Sequence, residues 1–163
     1  MEPPKRKNTR LSGFDYSQTG GYFITVCTHE KKRTLSKIRV DTENNRATTE
    51  LTPLGTVVQQ VMKELAVGYG FFLDCYVIMP NHIHMLLMKE SAENSKTVGQ
   101  WVGALKSMTM TRWCKIYDAG AMTAGKVWQR NYFDHILRNE ADYIEKRKYI
   151  EENLDKWHLD EYR

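Results

Sequence analysis

The stretch from Phe71 to Met88 restricts the fold of this chain most, because it is almost wholly composed of residues typical of β-strands. Only Pro80-Asn81 interrupts it, between Phe71–Met79 and His82–Met88. Proline cannot donate a hydrogen bond to a strand ladder, and asparagine favours turns. The stretch therefore predicts two strands, or one long strand with a break.

Four further strands and three helices are predicted around this stretch. Runs of β-branched and aromatic residues indicate the strands, and apolar residues at helical spacing after capping residues indicate the helices. The further strands are Tyr22–Thr28, Leu35–Val40, Ala47–Leu51 and Val127–Ile136, with a hairpin turn at Asn44-Asn45. The helices follow the cap Thr52, begin near Val98, and cover about 140–153 after the cap Asn139. A flexible connection is expected over Asp118–Gly125.

This order of elements favours an α+β fold, a ferredoxin-like or RRM-like sandwich with a mostly antiparallel sheet and helices on one face. A length of 163 residues suits one domain. We expect a single domain over residues 1–163, with a basic N-terminal arm over 1–20 and a C-terminal tail over 154–163.

Composition and targeting signals exclude several classes of protein. Apolar runs fall far short of the roughly 20 residues needed to cross a membrane, and the start of the chain lacks the apolar core of a signal peptide. Cys27, Cys75 and Cys114 lack the paired spacing of a disulfide framework or a zinc knuckle. We expect a cytoplasmic, nucleoid-associated protein without a membrane partner.

Positive charge is concentrated at the N-terminal end. The whole chain has a net charge of +4, whereas residues 1–40 contain nine basic and three acidic residues. Such a skew favours a polyanionic partner, most commonly nucleic acid. The alternative is a solvated tail followed by one charged loop.

Two histidines, His82 and His84, occupy alternate positions of one predicted strand. Side chains alternate between the faces of a strand, so the two imidazoles point the same way and could bind one metal ion. Two ligands alone do not make a metal site. The alternative is a pair of polar residues on the wetter face of a half-buried strand.

The last predicted helix carries Tyr149 and Asn153 one turn apart, so their side chains share a face. A phenol has a reference pKa near 10 and is a poor nucleophile unless a metal ion or a base assists it. The asparagine carbonyl could be a further oxygen ligand of such an ion. The alternative is a solvated charged helix with Tyr143, Ile150 and Leu154 packed inward.

Aromatic and basic residues interleave over Trp128–Arg138, as on surfaces that bind single-stranded nucleic acid. The equally favoured alternative is an amphipathic strand whose aromatics belong to the core. His135 and Asp134 point to opposite faces of an extended strand and form no dyad by sequence. Phosphate-binding glycine loops, serine-hydrolase elbows and the zinc-deaminase cysteine pair are not found.

Four blocks together resemble the REP-associated tyrosine transposases, which are single-tyrosine HUH transposases. They occur in the family's order and span nearly the whole chain. The blocks are Arg6–Leu11 with Gly20–Thr28, Met79–His84, Trp128–His135, and Tyr149-Ile150 with Asn153 and Trp157.

The resemblance implies a metal-dependent endonuclease and strand transferase that acts on single-stranded DNA with hairpin structure. By motif position, His82, His84 and Asn153 are the implied metal ligands and Tyr149 is the implied nucleophile, with Mg²⁺ or Mn²⁺ as the ion. The family usually has proline after the asparagine, where this chain has Leu154. Glu151 or Glu152 therefore remains an alternative third ligand, and the helix is expected to run on toward Trp157.

Candidate DNA contacts are basic residues on the arm and in the later elements. They are Lys5, Arg6, Lys7, Arg10, Lys106, Arg112, Arg130 and Arg138. The chain is expected to act as a monomer or a homodimer. A non-catalytic module that binds structured single-stranded DNA or RNA on the same fold is the main alternative, and HUH nicking in replication or plasmid transfer is a less favoured one.

Overall fold

The computed structural model describes residues 19–41, 46–91, 93, 96–116 and 126–157. The basic arm, the Asn44-Asn45 turn, the Asp118–Gly125 connection and the end of the tail lie largely or wholly outside these ranges. The strands are β1 (Gly20–Cys27), β2 (Ser36–Asp41), β3 (Arg46–Leu51), β4 (Phe72–Ile78), β5 (His82–Lys89) and β6 (Phe133–Ile136). The helices are α1 (Pro53–Gly68), α2 (Val98–Ile116) and α3 (Glu140–Glu152).

The main sheet has the strand order β4-β5-β1-β6, and every neighbouring pair is antiparallel. β2 and β3 form a separate two-stranded sheet. The Phe71–Met88 stretch forms two strands, because the Met79 amide donates to the His82 carbonyl at 2.9 Å across a tight Pro80-Asn81 turn. The predicted α+β class and ferredoxin-like antiparallel sheet are confirmed.

Both faces of the main sheet are covered by helices. Tyr22 and Ile24 of β1, with Ile83 and Met85 of β5, belong to the large apolar cluster that α1 and α2 complete. The neighbouring positions, such as Phe23 and Leu86, form a second cluster on the opposite face with Ile150 of α3. The expectation of helices on one face thus holds for α1 and α2, while α3 takes the other face because these strands are apolar on both sides.

Each of the three α-helices begins with a side-chain cap. Thr52 Oγ1 accepts a hydrogen bond from the Gly55 amide at 3.0 Å, and Asn139 Oδ1 accepts one from the Asp142 amide at 2.9 Å, as predicted. Thr97 and Gln100 form a reciprocal capping box at α2. Within the described ranges, no helix is long and apolar enough to cross a membrane.

The extended segment predicted over Val127–Ile136 is a strand only from Phe133 onward. Before it, Trp128 makes one isolated bridge to Thr28. The carbonyls of Gln129, Arg130 and Asn131 accept hydrogen bonds from Lys106 Nζ at 2.7, 3.2 and 3.1 Å. Because these three carbonyls bond the ammonium group, residues 129–131 are not part of a strand. The prediction of a strand over Val127–Ile136 is therefore wrong for this part.

Candidate active site

His82 and His84 lie on the face of the sheet that α3 covers. Antiparallel pairing places His82 opposite Cys27 and His84 opposite Thr25 of β1. Both side chains are fully buried, and their ring centroids are 4.5 Å apart. The two histidines therefore share one face of the strand, as predicted, and this face is shielded from solvent.

Hydrogen bonds to Nδ1 orient the two imidazole rings. His82 Nδ1 donates to Asn81 Oδ1 at 2.8 Å, because a carboxamide oxygen can only accept. His84 Nδ1 lies 2.8 Å from Thr25 Oγ1, and its ring stacks on Phe23. In the neutral imidazole, a proton on Nδ1 leaves Nε2 unprotonated, which is the form in which imidazole binds metals.

Tyr149 of α3 lies over His84. The two ring centroids are 5.1 Å apart at 73°, and the Tyr149 ring also meets Phe23 edge-on at 5.8 Å. Its side chain is 38% exposed, whereas Ile150 beside it is buried in the α3 cluster. The helix thus packs inward through Ile150, as the packing alternative required, and still presents a phenol at the edge of the histidine pair.

Asn153 lies at the C-terminal end of α3 and is 3% exposed. Its Oδ1 and the Nε2 atoms of His82 and His84 are buried and accept no hydrogen bond among the described residues, although each side chain has other contacts. Imidazole nitrogen and amide oxygen are both ligand types that divalent ions accept, so the chemistry of these three side chains fits such an ion.

The chain runs on in helical turns after Asn153, as expected from Leu154. α3 itself ends at Glu152, and the amides of Lys156 and Trp157 continue the pattern to Glu152 and Leu154. Leu154 packs in the α3 cluster, and the Trp157 ring stacks on His82 at 5.9 Å and 25°. Trp157 therefore covers one side of the histidine pair.

Glu151 and Glu152, the alternative third ligands, form ion pairs elsewhere. Glu151 pairs with Arg147, and Glu152 pairs with Lys148 and Lys156. In the part of the chain that the structure describes, no group of three His, Cys, Asp or Glu side chains could hold a metal ion. Neither glutamate therefore joins the two histidines in this arrangement.

Two polar networks that sequence reasoning missed anchor α3 to the sheet. On the β4 side, the Tyr143 hydroxyl donates to Asp74 Oδ2 at 2.9 Å, and Arg147 donates to that hydroxyl at 2.9 Å. On the β6 side, His135 Nε2 lies 2.9 Å from both Asp142 carboxylate oxygens. The i, i+4 spacing of Tyr143 and Arg147 was visible in the sequence, but their partner Asp74 was not.

Burial by itself would raise the pKa of the Asp142 carboxyl. Hydrogen bonds from His135 and from the Arg138 amide outweigh that effect and hold the pKa below its ordinary value of 3.8. Asp142 therefore stays ionised beside His135, and α3 is held at its first turn.

The candidate DNA contacts have different surroundings. Arg130 and Arg138 are exposed, whereas Arg112 donates to Glu64 at 2.8 Å. Burial lowers the pKa of Lys106 to about 8, and its ammonium group holds the three carbonyls of the Gln129–Asn131 segment. The other candidates, Lys5, Arg6, Lys7 and Arg10, lie outside the described residues.

Comparison with known proteins gives a consistent result. The profile of the family described as "Transposase IS200 like" matches residues 22–153. An uncharacterized protein of Haemophilus influenzae is 28% identical, over 96% of this chain and 92% of that protein. A second protein of that organism, named "Putative REP-associated tyrosine transposase", is 21% identical over 83% of this chain and 70% of its own length.

A similar fold occurs in the solved structure of a REP-associated tyrosine transposase bound to a REP hairpin. The TM-score is 0.61 at 17% sequence identity, and the match covers 91% of this chain and 74% of the other. At this identity the likeness establishes the fold.

Proposed function

The chain belongs to the family of IS200-like transposases, and from this premise we propose that it cuts and rejoins single-stranded DNA through a covalent bond to Tyr149. Family membership supports DNA transposition as the general activity. The observation that carries the finer proposal is the contact, within one chain, of the Tyr149 ring with the His84 ring. The relative bound to a REP hairpin supports hairpin-bearing DNA as the partner.

His82 and His84 would hold a divalent ion through Nε2, and Asn153 would be the third ligand through its amide oxygen. Amide oxygen suits Mg²⁺ or Mn²⁺, while imidazole also suits Zn²⁺ and Ni²⁺, and the resemblance to HUH transposases favours Mg²⁺ or Mn²⁺. When bound, such an ion polarises the scissile phosphate and stabilises charge in the transition state.

In this proposal Tyr149 acts as the nucleophile. Its ring is partly exposed and lies edge-on to His84, so DNA can approach from the solvent side while the histidines stay buried. The phenol oxygen attacks phosphorus in line with the leaving 3′ oxygen, the phenol loses its proton and the 3′ oxygen gains one. The products are a 5′-phosphotyrosine and a free 3′-hydroxyl.

The covalent bond explains why a tyrosine acts in place of water. A phosphotyrosine retains the phosphodiester character of the bond that was cut, so the 3′-hydroxyl of another strand can attack it. That attack rejoins DNA and releases Tyr149 without ATP. Strand transfer therefore needs no further energy source.

The test is a denaturing gel of the protein with labelled single-stranded hairpin oligonucleotides and Mn²⁺ or Mg²⁺. The hairpins carry a library of flanks because the target sequence is unknown. We expect a metal-dependent, SDS-resistant adduct with the wild type and none with Tyr149→Phe. Tyr76→Phe is the matched control, because it removes a hydroxyl that hydrogen-bonds Gln59, a residue of α1 on the opposite face of the sheet.

Two results would contradict the proposal. Equal cutting by Tyr149→Phe and the wild type would remove Tyr149 as the nucleophile. Tight hairpin binding without an adduct across the library would favour the non-catalytic binding module of the same fold.

A further inference from the structure

A cavity of about 320 Å³ lies on the other side of the sheet from the histidines. Its wall combines two lysines, a tryptophan and two threonines with apolar residues of the main cluster. The lining residues are Lys32, Thr34, Thr52, Leu54, Trp113, Lys126 and Val127. The volume is at the lower end of the range, roughly 300–1,000 Å³, in which proteins bind small organic groups.

The chemistry of this wall matches a nucleotide. An aromatic ring offers a stacking surface for a base, and lysine ammonium groups attract the phosphate. Lys32 Nζ lies 3.2 Å from Glu30, but both side chains are more than 60% exposed, so phosphate can replace that carboxylate at little cost. The second cation of the wall, Lys126, is also exposed.

One loop connects the cavity to the active site. Lys32 and Thr34 line the cavity, while the Arg33 guanidinium between them lies 5.8 Å from the centre of the Trp157 ring that stacks on His82. Neighbouring Cα atoms are only about 3.8 Å apart, so both surfaces meet at this loop. A DNA strand that leaves the histidines can pass over Arg33 into the cavity.

The loop is firmly held where the strand would cross it. Thr28 Oγ1 donates to the Lys32 carbonyl at 2.8 Å, and the Thr28 amide donates to the Asn81 carbonyl at 2.8 Å. Asn81 also orients His82 through its side chain. Hydrogen bonds through Thr28 and Asn81 therefore link the loop that lines the cavity to His82.

We propose that this cavity binds one unpaired nucleotide of the DNA strand that the active site processes, with its base against Trp113 and its phosphate at Lys32 and Lys126. This inference rests on the proposed function, because it assumes single-stranded DNA at the histidines. It assigns to this face of the protein a subsite for the single-stranded flank of a hairpin.

The test measures binding without chemistry, in the Tyr149→Phe background with EDTA. The probe is a fluorescein-labelled DNA hairpin with randomised single-stranded flanks, followed by anisotropy. Trp113→Leu, which keeps apolar packing, should weaken binding about ten-fold or more, the usual loss for one stacked base. Lys126→Ala should lower the slope of log affinity against log salt by about 0.7.

Two controls make the result specific. Lys63→Ala removes an exposed lysine of α1 outside the cavity and should change neither affinity nor slope. A hairpin without flanks should bind all variants alike. The proposal is overturned if Trp113→Leu and Lys126→Ala bind the flanked hairpin like the background protein, or if the flankless hairpin loses as much affinity.

The outcomes also separate this proposal from the function it rests on. Absence of a covalent adduct in the wild type, with loss of binding in the cavity variants, would reject the chemistry and keep the cavity. An adduct at Tyr149 with unchanged binding in both cavity variants would keep the chemistry and reject the cavity.

Discussion

At the residue scale, the buried histidine pair depends on its hydrogen-bond partners as much as on the rings themselves. Asn81 precedes His82 in the turn between β4 and β5, and Thr25 faces His84 across the sheet. Such partners set the tautomer and the ring orientation of a metal-binding imidazole. The sequence shows the first partner beside His82, but the second becomes apparent only from strand pairing.

Thr25→Val tests this dependence. Valine has nearly the same shape but cannot bond His84 Nδ1, so Mn²⁺ affinity should fall roughly 10- to 100-fold in calorimetric titration. Thr109→Val, a change of an equally buried threonine on α2, is the matched control and should keep wild-type affinity. Equal affinities of the two variants would mean that Thr25 does not orient His84.

The lowered pKa of Asp142 leads us to expect that the stability of the fold depends on pH. Its pKa is lowered in the folded protein, so the folded state binds this proton less tightly than the unfolded chain does. The stability that it contributes is present above the ordinary pKa and is lost as the pH falls through the lowered pKa. Between about pH 5 and pH 3, the free energy of unfolding should decrease less for Asp142→Asn than for the wild type.

Urea unfolding at several pH values measures this difference. At neutral pH the variant should be the less stable protein, because the substitution removes the negatively charged carboxylate that His135 contacts. Parallel pH profiles of the two proteins would show that Asp142 is not responsible.

At the scale of elements, α3 carries the proposed nucleophile and is anchored by three contacts. Ile150 packs on the sheet, Tyr143 reaches Asp74 on β4, and Asp142 reaches His135 on β6. The position of Tyr149 therefore depends on bonds made six and seven residues before it. The cap and the helical periodicity predict that α3 forms, but they do not predict these three contacts.

Tyr143→Phe should slow adduct formation roughly 10- to 100-fold, because a small displacement of α3 misplaces the Tyr149 oxygen. Tyr76→Phe removes one neutral hydrogen bond, to Gln59 of α1. In urea unfolding, Tyr76→Phe should lose about 0.5–1.5 kcal/mol of stability, and Tyr143→Phe about 1.5–3 kcal/mol because its hydroxyl bonds the charged Asp74 and Arg147. Similar rates of adduct formation in gel assays of the two variants would show that the Asp74 anchor does not position Tyr149.

At the scale of the whole molecule, metal binding should stabilise the fold because the proposed ligands come from β5 and the end of α3. Mn²⁺ at about 100 times its Kd should stabilise the protein by about 2.7 kcal/mol, which raises Tm by roughly 5–10 °C for a chain of this size. A chelator should reverse the shift in a thermal melt.

The same melt distinguishes the proposed site from other histidines. His84→Gln should abolish the Mn²⁺-dependent shift, whereas His29→Gln, a change in the loop after β1, should retain it. A full shift in His84→Gln would place the ion elsewhere. Absence of any shift in the wild type would contradict Mn²⁺ binding.

Local sequence patterns determined the elements of this protein. Strand-forming runs, Thr52 and Asn139 caps and helical periodicity act over a few residues, so they could be recognised without the fold. Alternation along β5 was sufficient to place His82 and His84 on one face. The extent of β6 was overestimated, because Lys106 on a distant helix takes the carbonyls of the preceding segment.

Only the tertiary structure decided which face each helix covers and which residues meet there. Strands that are apolar on both sides allow α3 to pack opposite α1 and α2, and this brings Tyr149 over His84 from 65 positions along the chain. Glu151 and Glu152, by contrast, form their ion pairs with residues four positions away, a spacing that helix geometry alone provides. Contacts between residues distant in the chain depend on packing of whole elements, which no local pattern encodes.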